Sequence, residues 1–286
     1  LRLLHCSDIH LTQDYARVPI LRLGWRFWMA WYELAWKKRA VDYRQAAAIL
    51  SRIREEAAAQ GVDHLIVSGD LTASATAEEF ALARAALADW AGDPRRCTVI
   101  PGNHDCHHPA ALREQRFEQH FGHLLVSDLP EHRRMGAYPF VRLLGEEAAV
   151  IGLHSSRLPE IPGISYGKLG KAQLEGLAAA IADPRLEGRA VLVVVHHAPR
   201  TREDKKDKRS HRLVDSEALL ALLPGPRFAV LHGHIHHRFH HPATATRPHL
   251  IDAGSSTQHG REGYWLIDVG GGQIQSVTRR DLTGAA

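Results

Sequence analysis

Carboxylates, imidazoles and one amide collect at five points of this chain: Asp8-Ile9-His10, Gly69-Asp70, Gly102-Asn103-His104-Asp105, His196-His197 and Gly233-His234-Ile235-His236. Mixed oxygen and nitrogen donors of these types suit Mn²⁺, Fe or Zn²⁺ and argue against calcium. None of the clusters contains cysteine, which argues against a structural zinc site. Alone, each has an ordinary reading. A polar strand end looks like Asp8-x-His10 or His234-x-His236, and Asp70 or Asn103-His104-Asp105 would serve in turns. In extended backbone, side chains two apart face the same way, so each x-spaced pair would present both donors to one side. The conjunction decides. Five donor clusters, each directly after an apolar run, hold enough ligands for two divalent metals in one pocket, which is a machine for phosphate-ester hydrolysis.

The runs before the clusters read as buried strands. Leu1–Cys6 ends at Ser7-Asp8, Asp63–Ser68 at Gly69-Asp70, and Cys97–Ile100 at Pro101-Gly102. Between them, Val41–Gln60 carries Ile49, Ile53 and Ala57 at helical spacing and stops at Gly61. Thr76-Ala77-Glu78-Glu79 reads as a capping box opening a helix to about Trp90. Strand, helix, strand, helix, strand is an α/β pattern with a largely parallel sheet, whose ligands sit at the carboxyl ends of strands. The second half predicts a hairpin from 138–143 and 148–153 around Gly145-Glu146, then a helix over 171–182. A buried strand over 190–195 and a short helix over 215–223 follow. Strands over 227–231, 249–253, 264–269 and 273–278 finish the chain, the last two joined at Gly270-Gly271-Gly272.

With 286 residues and 44% hydrophobic content, the chain can bury a large core, and no Pro/Ser-rich linker divides it. The expectation is one domain over 1–286. A net charge of +4 is mild, and no stable nucleic-acid partner is expected. Cys6, Cys97 and Cys106 form no CxxC pair, which predicts a reduced compartment without a disulfide framework. No uninterrupted apolar stretch reaches transmembrane length. A cytoplasmic protein is expected, peripheral at most to the inner face of the membrane.

The series D-x-H, G-D, G-N-H-D, H-H and G-H-x-H, running from Asp8 to His236, resembles the calcineurin-like metallophosphoesterases. That resemblance implies a four-layer αββα sandwich, two mixed β-sheets face to face with helices outside. It implies that Asp8, His10, Asp70 and His236 hold a first metal and that Asp70 bridges to a second, completed by Asn103, His196 and His234. The His196-His197 doublet allows a one-residue slip in this carry-over. His104 would face the scissile phosphate, with Asp105 as its orienter. Two divalent ions, Mn²⁺ first and Fe or Zn²⁺ as alternatives, would activate a bridging hydroxide for in-line attack on phosphorus. His104 would stabilise the phosphoryl oxygens or protonate the leaving oxygen.

Departures narrow the branch. Protein Ser/Thr phosphatases carry G-D-x-V-D-R-G where this chain has Gly69-Asp70-Leu71-Thr72-Ala73, and purple acid phosphatases place a tyrosine where Ala73 stands. The bacterial phosphodiesterase branch, including class III cyclic-nucleotide phosphodiesterases, is the best match, so a small phosphodiester substrate is expected. UDP-diacylglucosamine pyrophosphatases are similar, which makes a membrane-associated hydrolase of a lipid-linked nucleotide sugar the alternative. A non-catalytic metal- or nucleic-acid-binding module is the alternative of another class; an intact His104 and the lack of a repeated aromatic-basic stripe speak against it.

Two further features stand out. Trp25, Trp28, Met29, Tyr32 and Trp36 share one helical face within a basic, aromatic insertion at about 17–39, which suits a lid, a dimer contact or a membrane-facing helix. Arg200–Arg212 holds seven basic and three acidic residues directly after His196-His197-Ala198-Pro199, and could steer an anionic substrate or be a solvated loop. Of the histidines around the last motif, His232, His237, His240 and His241 read mainly as strand-end polar residues, while His107 and His108 follow the third motif and could face the pocket.

Overall fold

A computed structural model describes residues 1–13, 39–158 and 164–282. The aromatic segment 25–36, and with it almost all of the expected lid, lies outside the described residues.

Two mixed sheets form the body. In the first, β1 (Arg2–Cys6) pairs in parallel with β2 (His64–Val67), which pairs in parallel with β3 (Cys97–Val99). On the other side of β1, β10 (Gly263–Gly270) and β11 (Gln273–Asp281) add antiparallel strands. In the second sheet, β4 (Phe140–Leu144) and β5 (Ala148–Gly152) are the expected hairpin. From β5 the order runs in parallel through β6 (Ala190–Val194), β7 (Phe228–His232) and β9 (His249–Asp252) to an antiparallel edge, β8 (Phe239–His241).

The alternation of side chains along a strand explains the layers. Leu192 and Val194 of β6 join the cluster shared with the first sheet, together with Leu4, Ile66, Leu231 and Ile251. Val191 and Val193, one residue out of phase, pack with Leu177, Ala180 and Leu219 of the helices Lys171–Ile181 and Ser216–Ala221. Each β6 residue is therefore apolar because it faces either a sheet or a helix, as an all-buried parallel strand requires. Burying each such Val or Leu contributes about 1.5–3 kcal/mol. Helices Ala46–Ala59 and Ala77–Leu87 add Ile49, Leu50, Ile53, Phe80 and Ala83 to the first cluster.

The capping box is present: the Thr76 hydroxyl accepts from Glu79 N at 3.2 Å, and the Glu79 carboxylate accepts from Thr76 N at 3.4 Å. The helix expected over 41–60 is not continuous. It is split into Arg39–Asp42 and Ala46–Ala59, and the turn between them buries Tyr43, which reaches toward His236. The structure also contains short helical turns between His104 and His132, and β8, that the periodicity did not predict. Among the described residues, no helix is long and apolar enough to cross a membrane.

Candidate metal centre

The carboxyl ends of β1, β2, β3, β6 and β7 converge where the two sheets meet, and the five donor clusters follow those ends. Backbone bonds stitch them together. Asp8 N donates to Gly69 O at 3.0 Å, His10 N to Asp70 O at 3.0 Å, and Gly233 N to His196 O at 3.1 Å. Glycine is needed at these crossings: a Cβ on Gly102 would strike the Asp70 carboxylate, and one on Gly233 would strike Ser7 and Asp8.

The reason given by strand alternation for pairing Asp8 with His10 is wrong. Both lie beyond β1 in the left-handed region, with φ of 51° and 47°, as do Asp70 at 53°, His234 at 78° and His236 at 53°. Non-glycine residues rarely adopt such angles, and clusters of them mark sites where the surrounding structure holds backbone strain for function. A tight turn, not a pleat, brings each pair to one side.

Two groups of donors result. In the first, Asp8 Oδ1 lies 3.2 Å from Nε2 of His236 and 3.8 Å from Nε2 of His10. In the second, Asn103 Oδ1 lies 3.0 Å from Nε2 of His196 and 2.8 Å from Nδ1 of His234. Asp70 stands between them: Oδ1 is 3.4 Å from Nε2 of His196 and Oδ2 is 3.8 Å from Nε2 of His10.

The donor set fits divalent cations. Every imidazole uses its outer nitrogen on a fixed partner: His10 Nδ1 with Thr72 O at 3.3 Å, His196 Nδ1 with Ser68 O at 2.9 Å, His234 Nε2 with His211 O at 3.0 Å and His236 Nδ1 with the Tyr43 hydroxyl at 3.2 Å. A carbonyl only accepts, so in the first three the outer nitrogen carries the proton and the inner one is left as a lone-pair donor, the arrangement that orients metal-binding histidines. The inner atoms lie close together, with Nε2 of His10 and Nε2 of His236 only 3.3 Å apart. Asp8 Oδ1 is buried and accepts no hydrogen bond, while its Oδ2 accepts from His234 N at 3.0 Å.

Charge points the same way. Burial alone would raise the Asp70 carboxyl, but the imidazoles of His196 and His104 outweigh it and hold it well below the usual carboxylate range. Burial would likewise depress His196, yet Asp70 lifts it to about 9. Asp70 thus favours positive charge beside it, and a bound cation would supply that charge.

The remaining predicted residues separate clearly. His197 spends Nδ1 on the Ser155 hydroxyl at 2.8 Å and Nε2 on Ser165 O at 2.9 Å, so it has no nitrogen to offer. His104 lies edge-on to His10, with ring centroids 4.7 Å apart, and its Nδ1 donates to Ala73 O at 2.8 Å. Asp105 does not orient His104. Its carboxylate accepts from Leu71 N, Thr72 N, the Thr72 hydroxyl and Gly102 N at 2.8–3.1 Å, clamping the β2 loop to the β3 loop. Three residues outside the predicted set support the centre: Tyr43 behind His236, His107 whose Nε2 takes the Asn103 amide at 3.1 Å, and His211 whose ring stacks on His234 at 3.8 Å. Of the other histidines, His232 faces Asp252 at 3.0 Å, His240 bonds His249, and His241 bonds Thr201 O.

A family model described as calcineurin-like phosphoesterase matches residues 1–238. The chain belongs to the calcineurin-like phosphoesterases. This phosphoesterase is similar in structure to a dimetal phosphatase from Danio rerio, with a TM-score of 0.64 and 13% identity over 93% of this chain and 91% of that one. It is also similar to a purple acid phosphatase from seeds of yellow lupin (Lupinus luteus), with a TM-score of 0.56 and 10% identity over 98% of this chain but only 54% of that one. At such identities the likeness is one of fold. The comparison with curated proteins returned no match.

Proposed function

We propose that this phosphoesterase, read as one domain, cleaves phosphodiesters with two divalent metals. Asp8, His10, Asp70 and His236 hold the first metal, and Asp70, Asn103, His196 and His234 the second. The observation that carries this reading is the position of Asp70, whose two oxygens face His10 on one side and His196 on the other. Bound there, two divalent ions would neutralise charge on the phosphoryl oxygens and lower the pKa of water to supply hydroxide.

The chain's own residues do the rest. His104 is held by Ala73 O through Nδ1, so the proton it can pass to a leaving oxygen resides on Nε2. His104 N also donates to Asp70 Oδ1 at 2.8 Å, which fixes the ring's distance from the centre. His107 and Tyr43 orient Asn103 and His236 from behind. The bacterial phosphodiesterase branch is favoured because Leu71-Thr72-Ala73 replaces both the Asp-Arg pair of the protein phosphatases and the tyrosine of the purple acid phosphatases. Hydrolysis of bis(4-nitrophenyl) phosphate and of 4-nitrophenyl phosphate should be compared with Mn²⁺ present. Faster cleavage of the diester supports the reading; a strong monoester preference refutes the branch, and no hydrolysis of either refutes the activity.

A further inference from the structure

Beside the centre lies a cavity of about 610 Å³, the size class of small-molecule sites. His234 and His236 form one wall; Thr201, Arg202, Lys208 and His211 of the basic loop form another. The loop is fixed at several points. Arg200 forks onto Glu217 at 2.8 and 2.9 Å, Arg247 pairs with Asp204 at 2.6 Å, and His241 Nε2 bonds Thr201 O at 3.0 Å. His211 bonds Asp207 at 2.6 Å and stacks on His234, which ties the loop directly to the centre.

These bonds divide the loop's charges into two sets. Arg200 and Lys206 are both spent on Glu217. Asp207 is taken by His211 and by Lys208 N, and the Glu203 carboxylate by its own amide and the Thr201 hydroxyl. Arg202 and Lys208 are different: both line the cavity, both are exposed, and among the described residues neither has a carboxylate within 4.0 Å. Glu203 and Asp207 line the cavity as well, but both carboxylates are engaged within the loop. Ordering a loop costs conformational entropy, and here it presents Arg202 and Lys208 beside a phosphate-hydrolysing centre.

The geometry points to an anion subsite in this cavity: Arg202 and Lys208 take a second phosphate group of the substrate while the scissile phosphate lies at His234 and His236. The substrate class is then a molecule with two phosphates, one cleaved and one recognised, directly linked or joined by a short organic arm. A planar guanidinium suits phosphate through paired N–H donors, and the lysine adds a point charge. This inference rests on the phosphoesterase reading of the centre.

The test is titration calorimetry of the Mn²⁺-loaded protein with orthophosphate and with ADP, at about 0.3 M salt so that long-range attraction is screened. Arg202→Ala/Lys208→Ala should bind ADP at least about tenfold more weakly, the loss of charge-assisted bonds, while orthophosphate changes less than about twofold. Arg200→Ala, on the same loop but engaged with Glu217, should leave the ADP preference intact. Sedimentation with phosphatidate or phosphatidylcholine vesicles identifies the source. Capture on phosphatidate alone, lost in the double variant, assigns the second phosphate to a lipid; no capture alongside the ADP effect assigns it to a soluble molecule. Equal changes for orthophosphate and ADP, or no change for either, overturn the subsite and leave the phosphoesterase reading standing. A wild-type protein that neither binds orthophosphate nor cleaves bis(4-nitrophenyl) phosphate overturns both.

Discussion

The side-chain amide nitrogen of Asn103 donates to Nε2 of His107 at 3.1 Å, and this bond decides which way Asn103 points. With Nδ2 engaged, Oδ1 turns inward to His196 and His234. A neutral amide is the weakest donor in the set, so its orientation has to be supplied from outside.

His107→Ala should therefore weaken metal binding by about 10–100-fold, the usual cost of losing an outer partner of a ligand. Calorimetric titration of metal-free protein with Mn²⁺ measures it. Unchanged affinity would mean that Asn103 is held without His107.

His104 serves the reaction and not the metals. His104→Ala should keep the metal content and lower kcat by about 10²–10⁴-fold, the range for a positioned acid. Loss of metal from the variant would instead place His104 among the ligands, since a ring nitrogen of His104 lies within 4.8 Å of donor atoms of His10 and Asp70.

Acid should destabilise the fold through two buried histidines. Burial lowers His64 to about 4 and His5 to about 3. His64 stays neutral while bonded to Arg95 O and the Thr98 hydroxyl, both at 2.8 Å. The unfolded chain takes up these protons near pH 6.5, so the stability these two histidines contribute is complete above that pH and falls as pH drops toward 4. Each unit of separation between folded and unfolded pKa is worth about 1.4 kcal/mol. Urea midpoints of metal-free protein at pH 7.5 and 5.0 check this; His64→Gln should reduce the difference between them.

Much of this site was legible because its donors are local: each cluster directly follows a strand whose apolar run is unmistakable, as Val191–Val195 precedes His196. Of the supporting residues, Tyr43 and His211 were not legible because they act across the chain, whereas His107 stands only four positions from Asn103. Tyr43 reaches His236 over 193 positions, and nothing in its neighbourhood marks it. Asp105 looked like a partner for the adjacent His104, but four backbone and hydroxyl donors from two loops claim it. The five left-handed residues were invisible for a related reason: extended alternation and a turn place Asp8 and His10 on one side equally well, and they differ only in backbone φ. β8 escaped because Phe239-His240-His241 is too short and polar to carry a period.

Metal content of Asp70→Asn tests the central claim most directly. Wild-type protein dialysed against Mn²⁺ and analysed by plasma mass spectrometry should hold about two ions per chain, as a two-metal centre requires. Because Asp70 faces both donor groups, Asp70→Asn should lose occupancy at both and with it the hydrolysis of bis(4-nitrophenyl) phosphate. Two ions and full activity retained in that variant would contradict the account.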